Sequence, residues 1–208
     1  MKYMKMLGLV AAAAAALTAY VGVGTASATV LCSTETNPCT GTKYSVGQKL
    51  DFHLKAGTES TLVGGFATVK CASSTITGSI TNAGGSAATV VASVSTWDFT
   101  SCNCTFTALL KGELEVHFTS AGDGALAGKN TLITSNCSGV SCLYGTAATA
   151  TAIGVIQGGN PAVVNVEAKL PYFTGDASNF TCTLGSGTYY WSAMYEVTGP
   201  SPLYVAAS

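Results

Sequence analysis

Arginine is absent from this 208-residue chain, and charged residues of all kinds make up only 9% of it. Proteins that grip nucleic acid or an anionic membrane surface do so with clustered cations. No nucleic acid partner is expected, and phosphate-rich ligands are disfavoured for the same reason. Histidine is nearly missing, with His53 and His117 the two copies. A serine or cysteine nucleophile needs a histidine base and an oxyanion hole, and no G-x-S-x-G elbow stands in the sequence to begin such a site. The Gly-Gly pairs lie between strand-like stretches and open no helix, which leaves no phosphate-cradling loop. No cofactor is expected. Helical patterning is lacking as well, since no stretch keeps a 3.6-residue apolar rhythm.

What is present begins with an export signature. Lys2 and Lys5 precede an apolar stretch over residues 7–24, and Ala26-Ser27-Ala28 follows as an A-x-A cleavage site. The stretch approaches the roughly 18 residues that span a bilayer, but it is rich in alanine and glycine and the cleavage site follows at once. Residues 1–28 are therefore read as a signal peptide, with residues 29–208 a single mature domain that carries no further transmembrane segment. Leu31 sits where lipoprotein signals want a small residue, which argues against a lipid anchor on Cys32. The mature part holds seven lysines against ten acidic residues, a formal charge of −3. Its polarity comes from Thr, Ser, Asn and Gly, and surfaces so poor in charge do little to resist self-association or adsorption. This favours a secreted, extracellular or cell-wall-associated protein whose partners are its own copies or a cell-surface polymer.

All eight cysteines, Cys32, Cys39, Cys71, Cys102, Cys104, Cys137, Cys142 and Cys182, follow the signal. An even number of thiols in an oxidising compartment reads as a disulfide framework. Cys32 and Cys39 bracket "CSTETNPC", Cys137 and Cys142 bracket "CSGVSC", and each pair is expected to close locally. Cys102 and Cys104 stand one residue apart, and in an extended strand such Cα atoms are roughly 6.5 to 7 Å apart, at the upper limit of disulfide geometry. Their expected partners are Cys71 and Cys182. Zinc sites repeat a C-x(2 to 4)-C spacing and redox sites use C-x-x-C at a helix start; neither pattern occurs.

Period-2 alternation rich in Thr, Val and Ala fills most of the mature length between glycine punctuation. Strands are expected near 48–55, 61–70, 74–81, 87–99, 104–110, 112–119, 129–135, 146–157, 161–169, 179–184, 188–198 and 202–206. The fold class is all-β, a disulfide-stabilised antiparallel β-sandwich or jelly roll. Residues 71–99 and 142–173 share an order of cysteine, Thr-rich strand, Gly-Gly turn, Val-rich strand and aromatic, the outline of a pseudo-repeat.

Three stretches carry candidate chemistry. In "GELEVHF" the alternation sets Glu113, Glu115 and His117 on one face and Leu114, Val116 and Phe118 on the other. Two carboxylates about 7 Å apart serve sugar hydrolysis, and with the histidine they make a metal-binding set for a divalent cation; a solvated strand face is the plainer reading. "KLDFHLK" repeats the pattern with Asp51, His53 and Lys55, and the two histidines converge only if these strands pair. In "TYYWSAMYEV" the residues Tyr189, Trp191 and Tyr195 share one face. Such a row is either a ligand-binding platform, stacking on sugar rings, or part of the core.

The motifs "NPC" at 37–39, "VKC" at 69–71, "CNC" at 102–104, "CLYG" at 142–145, "GGNPA" at 158–162, "LP" at 170–171 and the ending "VTGPSPLYV" extend across almost the whole mature chain. In them it resembles an uncharacterised family of secreted, cysteine-containing bacterial β proteins of comparable length. The layout is more distantly similar to the small secreted family named for activating alkane oxidation. Neither resemblance implies a chemistry or a functional residue. The expectation is a non-enzymatic structural, adhesive or surface-associated protein. The alternatives are a module binding carbohydrate or a small apolar ligand through Tyr189, Trp191 and Tyr195, and a cation-dependent or acid/base hydrolase on Glu113, Glu115 and His117.

Overall fold

The computed structural model describes residues 28–64, 67–172, 182 and 188–208. All of the signal segment but Ala28, and all of the strand expected over 179–184 but Cys182, lie outside the described residues. The described residues form β1 (Val30–Cys32), β2 (Lys49–Leu54), β3 (Ser60–Val63), β4 (Thr68–Gly85), β5 (Ala88–Cys102), β6 (Thr105–Leu110), β7 (Glu113–Ser120), β8 (Asp123–Lys129), β9 (Leu132–Cys137), β10 (Val140–Gly145), β11 (Thr151–Gln157), β12 (Ala162–Pro171), β13 (Thr188–Gly199) and β14 (Tyr204–Ala206). No α-helix occurs among them.

The chain is all-β, as its alternation requires, but the main sheet is a closed barrel and not the two facing sheets of a sandwich or jelly roll. Strands β2, β4, β5, β7, β8, β11 and β12 each pair antiparallel with the next, β12 pairs with β13, and β13 returns to β2. Eight strand positions therefore close on themselves. The physical reason is the long β13, whose residues find partners on both sides, so no sheet edge is left to separate two layers. One position is composite: β13 pairs with β2 at residues 195–199 and with β3 at residues 190–192, and the intervening residues 55–59 bulge out of the wall.

Excursions from the meander close the two ends. At one end β1 and β14 pair with each other, and bridges Thr29–Gly85, Gly122–Val205 and Gly159–Leu203 tie them to the hairpin tips. The residues just ahead of Cys32 thus pack on their own domain. Gly84 has φ +78°, and a Cβ there would lie 1.8 Å from the Thr29 carbonyl oxygen, so this tip needs glycine for backbone conformation and for space alike. At the other end β6, β9 and β10 form a three-stranded sheet that sends Phe106, Ile133 and Tyr144 into the shared core. Ser138 and Gly139, at φ +52° and +82°, make the two-residue turn between β9 and β10. Buried Thr131 and Thr146 clasp the base of that hairpin through a 2.8 Å hydroxyl contact and reciprocal bonds from each backbone N–H to the other's Oγ1.

All eight cysteines are bridged: Cys32–Cys39, Cys71–Cys102, Cys104–Cys137 and Cys142–Cys182. The first matches the local expectation, and Cys102 takes Cys71. The expected Cys137–Cys142 bridge is overturned, and with it the pairing of Cys104 with Cys182. Register explains the difference. Cys137 lies opposite Val140 on the β9–β10 hairpin, and Cys142 opposite Ser135, so the two thiols are displaced from one another. Across the β6–β9 ladder Thr105 faces Asn136, which puts Cys104 beside Cys137 with Cα atoms 4.9 Å apart. Of the two stretches compared as a pseudo-repeat, both hold a hairpin of the barrel wall, but Cys71 opens a barrel strand whereas Cys142 belongs to the small sheet.

Candidate functional site

The barrel interior is full. Phe52, Ile76, Trp97, Leu114, Trp191 and Tyr195 are among the side chains around a residual void of about 20 Å³. That is close to the volume of a single water probe, and the lining is mostly apolar. Alternation runs apolar inward and polar outward, for example in β4, where Ile76 and Ile80 are buried while Thr75 and Thr77 are only partly so. This is the reverse of a membrane-spanning barrel. No helix is long and apolar enough to cross a membrane among the described residues.

The aromatic row of β13 belongs to this interior. Tyr189, Trp191 and Tyr195 are 2%, 3% and 1% exposed, so they form no platform for a ligand. Trp191 packs 5.2 Å from Trp97, and its Nε1–H donates to Ser60 Oγ at 3.0 Å. Tyr195 donates its hydroxyl to Ser74 Oγ at 3.0 Å, and burial pushes its pKa up to about 12 against the pull of Ser74, Ser60 and Trp97. Tyr189 donates to the Cys182 carbonyl and packs against Tyr144, ring centroids 3.9 Å apart at a 44° tilt. Two residues on one strand face share one fate, and this face points inward. Tyr190, in the opposite phase, is 51% exposed. Its parity in "TYYW" was the signal available for it.

On β7 the expected face is real: Leu114 and Val116 are buried, and Glu113, Glu115 and His117 point outward. It is occupied by a lysine. Lys129 of β8 lies opposite Glu113 in the ladder, and its Nζ sits 3.0 Å from Glu115 and 3.2 Å from Glu113. His117 Nε2 lies 3.6 Å from the second Glu115 oxygen. The hydrogen bonds that Lys129 donates to Glu115 and Glu113 raise its pKa, and burial lowers that of His117 although Glu115 pulls it upward. The ammonium takes the place between the carboxylates that a cation or a transferable proton would need. Among the described residues no group of three or more His, Cys, Asp and Glu is spaced to hold a metal ion. His53 does not join this cluster, because β4 and β5 lie between β2 and β7 in the wall.

The outer surface formed by the described residues includes two open grooves. One, of about 550 Å³, runs along Phe99, Asn103, Thr105, Phe106, Asn136 and Ser138 beside the Cys104–Cys137 bridge. Asn103 is already committed there, accepting from the Lys70 N–H and donating to the Thr68 carbonyl. The other, of about 520 Å³, lies where β11 parts from β12 and is bordered by Thr151, Glu167, Lys169, Tyr190 and Ser192. Compared with known proteins, the chain matches no family model, no curated protein and no solved structure.

Proposed function

We propose that this chain is a non-enzymatic barrel that works outside the cytoplasm as a structural, adhesive or surface-associated protein, acting through its outer wall. The observation that carries the reading is the filled, doubly capped interior with every cysteine bridged. A barrel that carries ligands leaves a cavity for them; this one has spent its interior on packing. Four cross-links suit an oxidising compartment, in line with the export signature and with the resemblance to secreted bacterial proteins. Lys129 already bridges the two carboxylates of the cluster, which speaks against the hydrolase reading. Exposed Leu109 and Leu110 on β6, which pairs with β9 alone among the described residues, favour self-association as one mode of assembly.

The test is fractionation of cells that produce the protein, with thiol titration of the unreduced polypeptide and sedimentation velocity of the purified mature form. The expected result is protein in the envelope or medium with no titratable thiol, sedimenting as oligomers or co-sedimenting with envelope material. Cytosolic protein with free thiols, or a monomer indifferent to every envelope fraction, would overturn the reading.

A further inference from the structure

We propose that the groove between β11 and β12 binds the ring of a neutral sugar, stacked on Tyr190. The proposal rests on the surface-associated reading above only for where such a sugar would be met, as a unit of a cell-surface polysaccharide.

The groove is a parting in the barrel wall. The β11–β12 ladder covers only Gly154–Val166 through Gln157–Val163. Upstream of Gly154, Thr151 and Ala152 stay with β8, and the register shifts across residue 153. On its other side β12 runs on with β13, pairing Glu167 with Ser192, Ala168 with Trp191 and Lys169 with Tyr190. The opening so made passes over Ala168 and Trp191, whose side chains are buried, and has a volume of about 520 Å³, within the roughly 300 to 1,000 Å³ of small-ligand sites.

Its chemistry is amphipathic at the scale of one ring. Among the described residues, Tyr190 is the one tyrosine in the set of large exposed apolar side chains. Its π face already attracts a cation, with Lys169 Nζ 5.5 Å from the ring centroid. The C–H face of a pyranose is a weaker version of the same partially positive surface, and its stacking frees Lys169 to donate to a hydroxyl. Around the ring stand a carboxylate on Glu167, an ammonium on Lys169 and hydroxyls on Thr151 and Ser192. These are the donors and acceptors that a flat molecule with hydroxyls at its rim would use.

Other ligand classes fit less well. One carboxylate and one ammonium cancel, so the rim offers no net attraction to a polyanion. A purely apolar ligand would cover Glu167 and Lys169 without replacing their water. An extended peptide would need a longer free edge than β12 offers: beyond Val166 it reaches Pro171, which has no N–H, and Tyr172 is bridged to Tyr144.

The test uses the oxidised mature protein titrated with soluble neutral glucan, mannan, galactan and arabinan, with polygalacturonate and a panel of extended peptides alongside. Binding is read by calorimetry and located by amide chemical shifts. At least one neutral polysaccharide is expected to bind, with shifts at residues 151–152, 167–169 and 190–192. Tyr190→Ala is expected to weaken binding about tenfold or more, Tyr190→Phe to restore most of it, and Glu167→Gln and Lys169→Met each to weaken it by about threefold to tenfold. All three positions lie outside the core, so melting temperatures should be unchanged; Val46→Ala, exposed elsewhere, should bind as wild type. The proposal falls if no neutral polysaccharide binds, if Tyr190→Ala binds as wild type, if the shifts map elsewhere, or if the polyanion or a peptide takes the groove instead. Envelope protein blind to sugars would sink this inference alone, and cytosolic protein that binds them would sink only the reading above.

Discussion

At the scale of single residues, position on a strand sets which face a side chain takes, and its neighbours set how much water it keeps. His117 shows both. Strand parity puts it outside the barrel, yet only 21% of its side chain is exposed, beside a Glu115 exposed to 15%. Burial holds the imidazole neutral and its pKa below the usual value of 6.5, with Glu115 opposing the effect. The unfolded chain therefore takes up a proton near pH ~6.5, while the folded chain does so only at lower pH. Stability contributed by this site is complete above the unfolded pKa and is lost as pH falls through the folded one. Urea unfolding of the wild type should accordingly weaken between about pH 7.5 and 5.5, and His117→Gln should flatten that slope. Equal slopes in the two proteins would remove His117 as the cause. The sequence announced the Glu113, Glu115 and His117 face through its alternation. It did not announce Lys129, because a cross-strand partner is fixed by register, which one strand cannot reveal. The same limit applied to Tyr189, Trp191 and Tyr195: alternation grouped them on one face without saying which side of the sheet was inside.

At the scale of elements, long strands rich in β-formers were legible, whereas β8, built of small residues, and β10, whose start was read as part of a local disulfide loop, were not. The segments expected at 48–55, 87–99, 112–119, 161–169 and 188–198 correspond to β2, β5, β7, β12 and β13. Strand β8 escaped notice because Gly124, Ala125, Ala127 and Gly128 give no alternation to read; they sit buried in the wall, with Val205 and Ile153 packed close on the two glycines. The expected strand over 61–70 proved to be β3 and the start of β4. Bridges failed for the related reason that short loops suggest local closure while register assigns the true partner. The bridges also differ in what they constrain. Cys32–Cys39 spans 7 residues and Cys104–Cys137 spans 33, so loop-closure entropy assigns them about 2.4 and about 3.7 kcal/mol respectively. Paired serine replacement of Cys104 and Cys137 should therefore lower the urea-derived stability by roughly one and a half times as much as replacement of Cys32 and Cys39. Mass mapping of the unreduced protein should recover a peptide joining residues 104 and 137. A linkage of 137 to 142, or equal losses in the two double variants, would contradict this account.

At the scale of the whole molecule, closure was the property least visible in the sequence. An open sandwich and a closed barrel ask for the same alternation, the same turns and the same apolar faces; they differ in whether the last long strand returns to the first. Here the return of β13 to β2 joins residues 195–199 to residues 51–54, a pairing across most of the chain. Closure makes the interior a common possession, since each wall strand contributes side chains to one centre. Trp191 stands there, with Trp97 5.2 Å and Tyr195 6.5 Å away and Ser60 taking its indole hydrogen bond. With a void of about 20 Å³ the packing has no slack into which neighbours could relax. Trp191→Ala should cost about 3 to 5 kcal/mol, leave Ser60 without its donor, and still give one cooperative urea transition, because the bridges and strand ladders remain. Tyr190→Ala, one residue away on the outer face, should change stability by no more than about 0.5 kcal/mol. The contrast separates a barrel held by its filled centre from one held by its cross-links alone: if Trp191→Ala unfolds at the same urea concentration as the wild type, the centre does not carry the stability assigned to it.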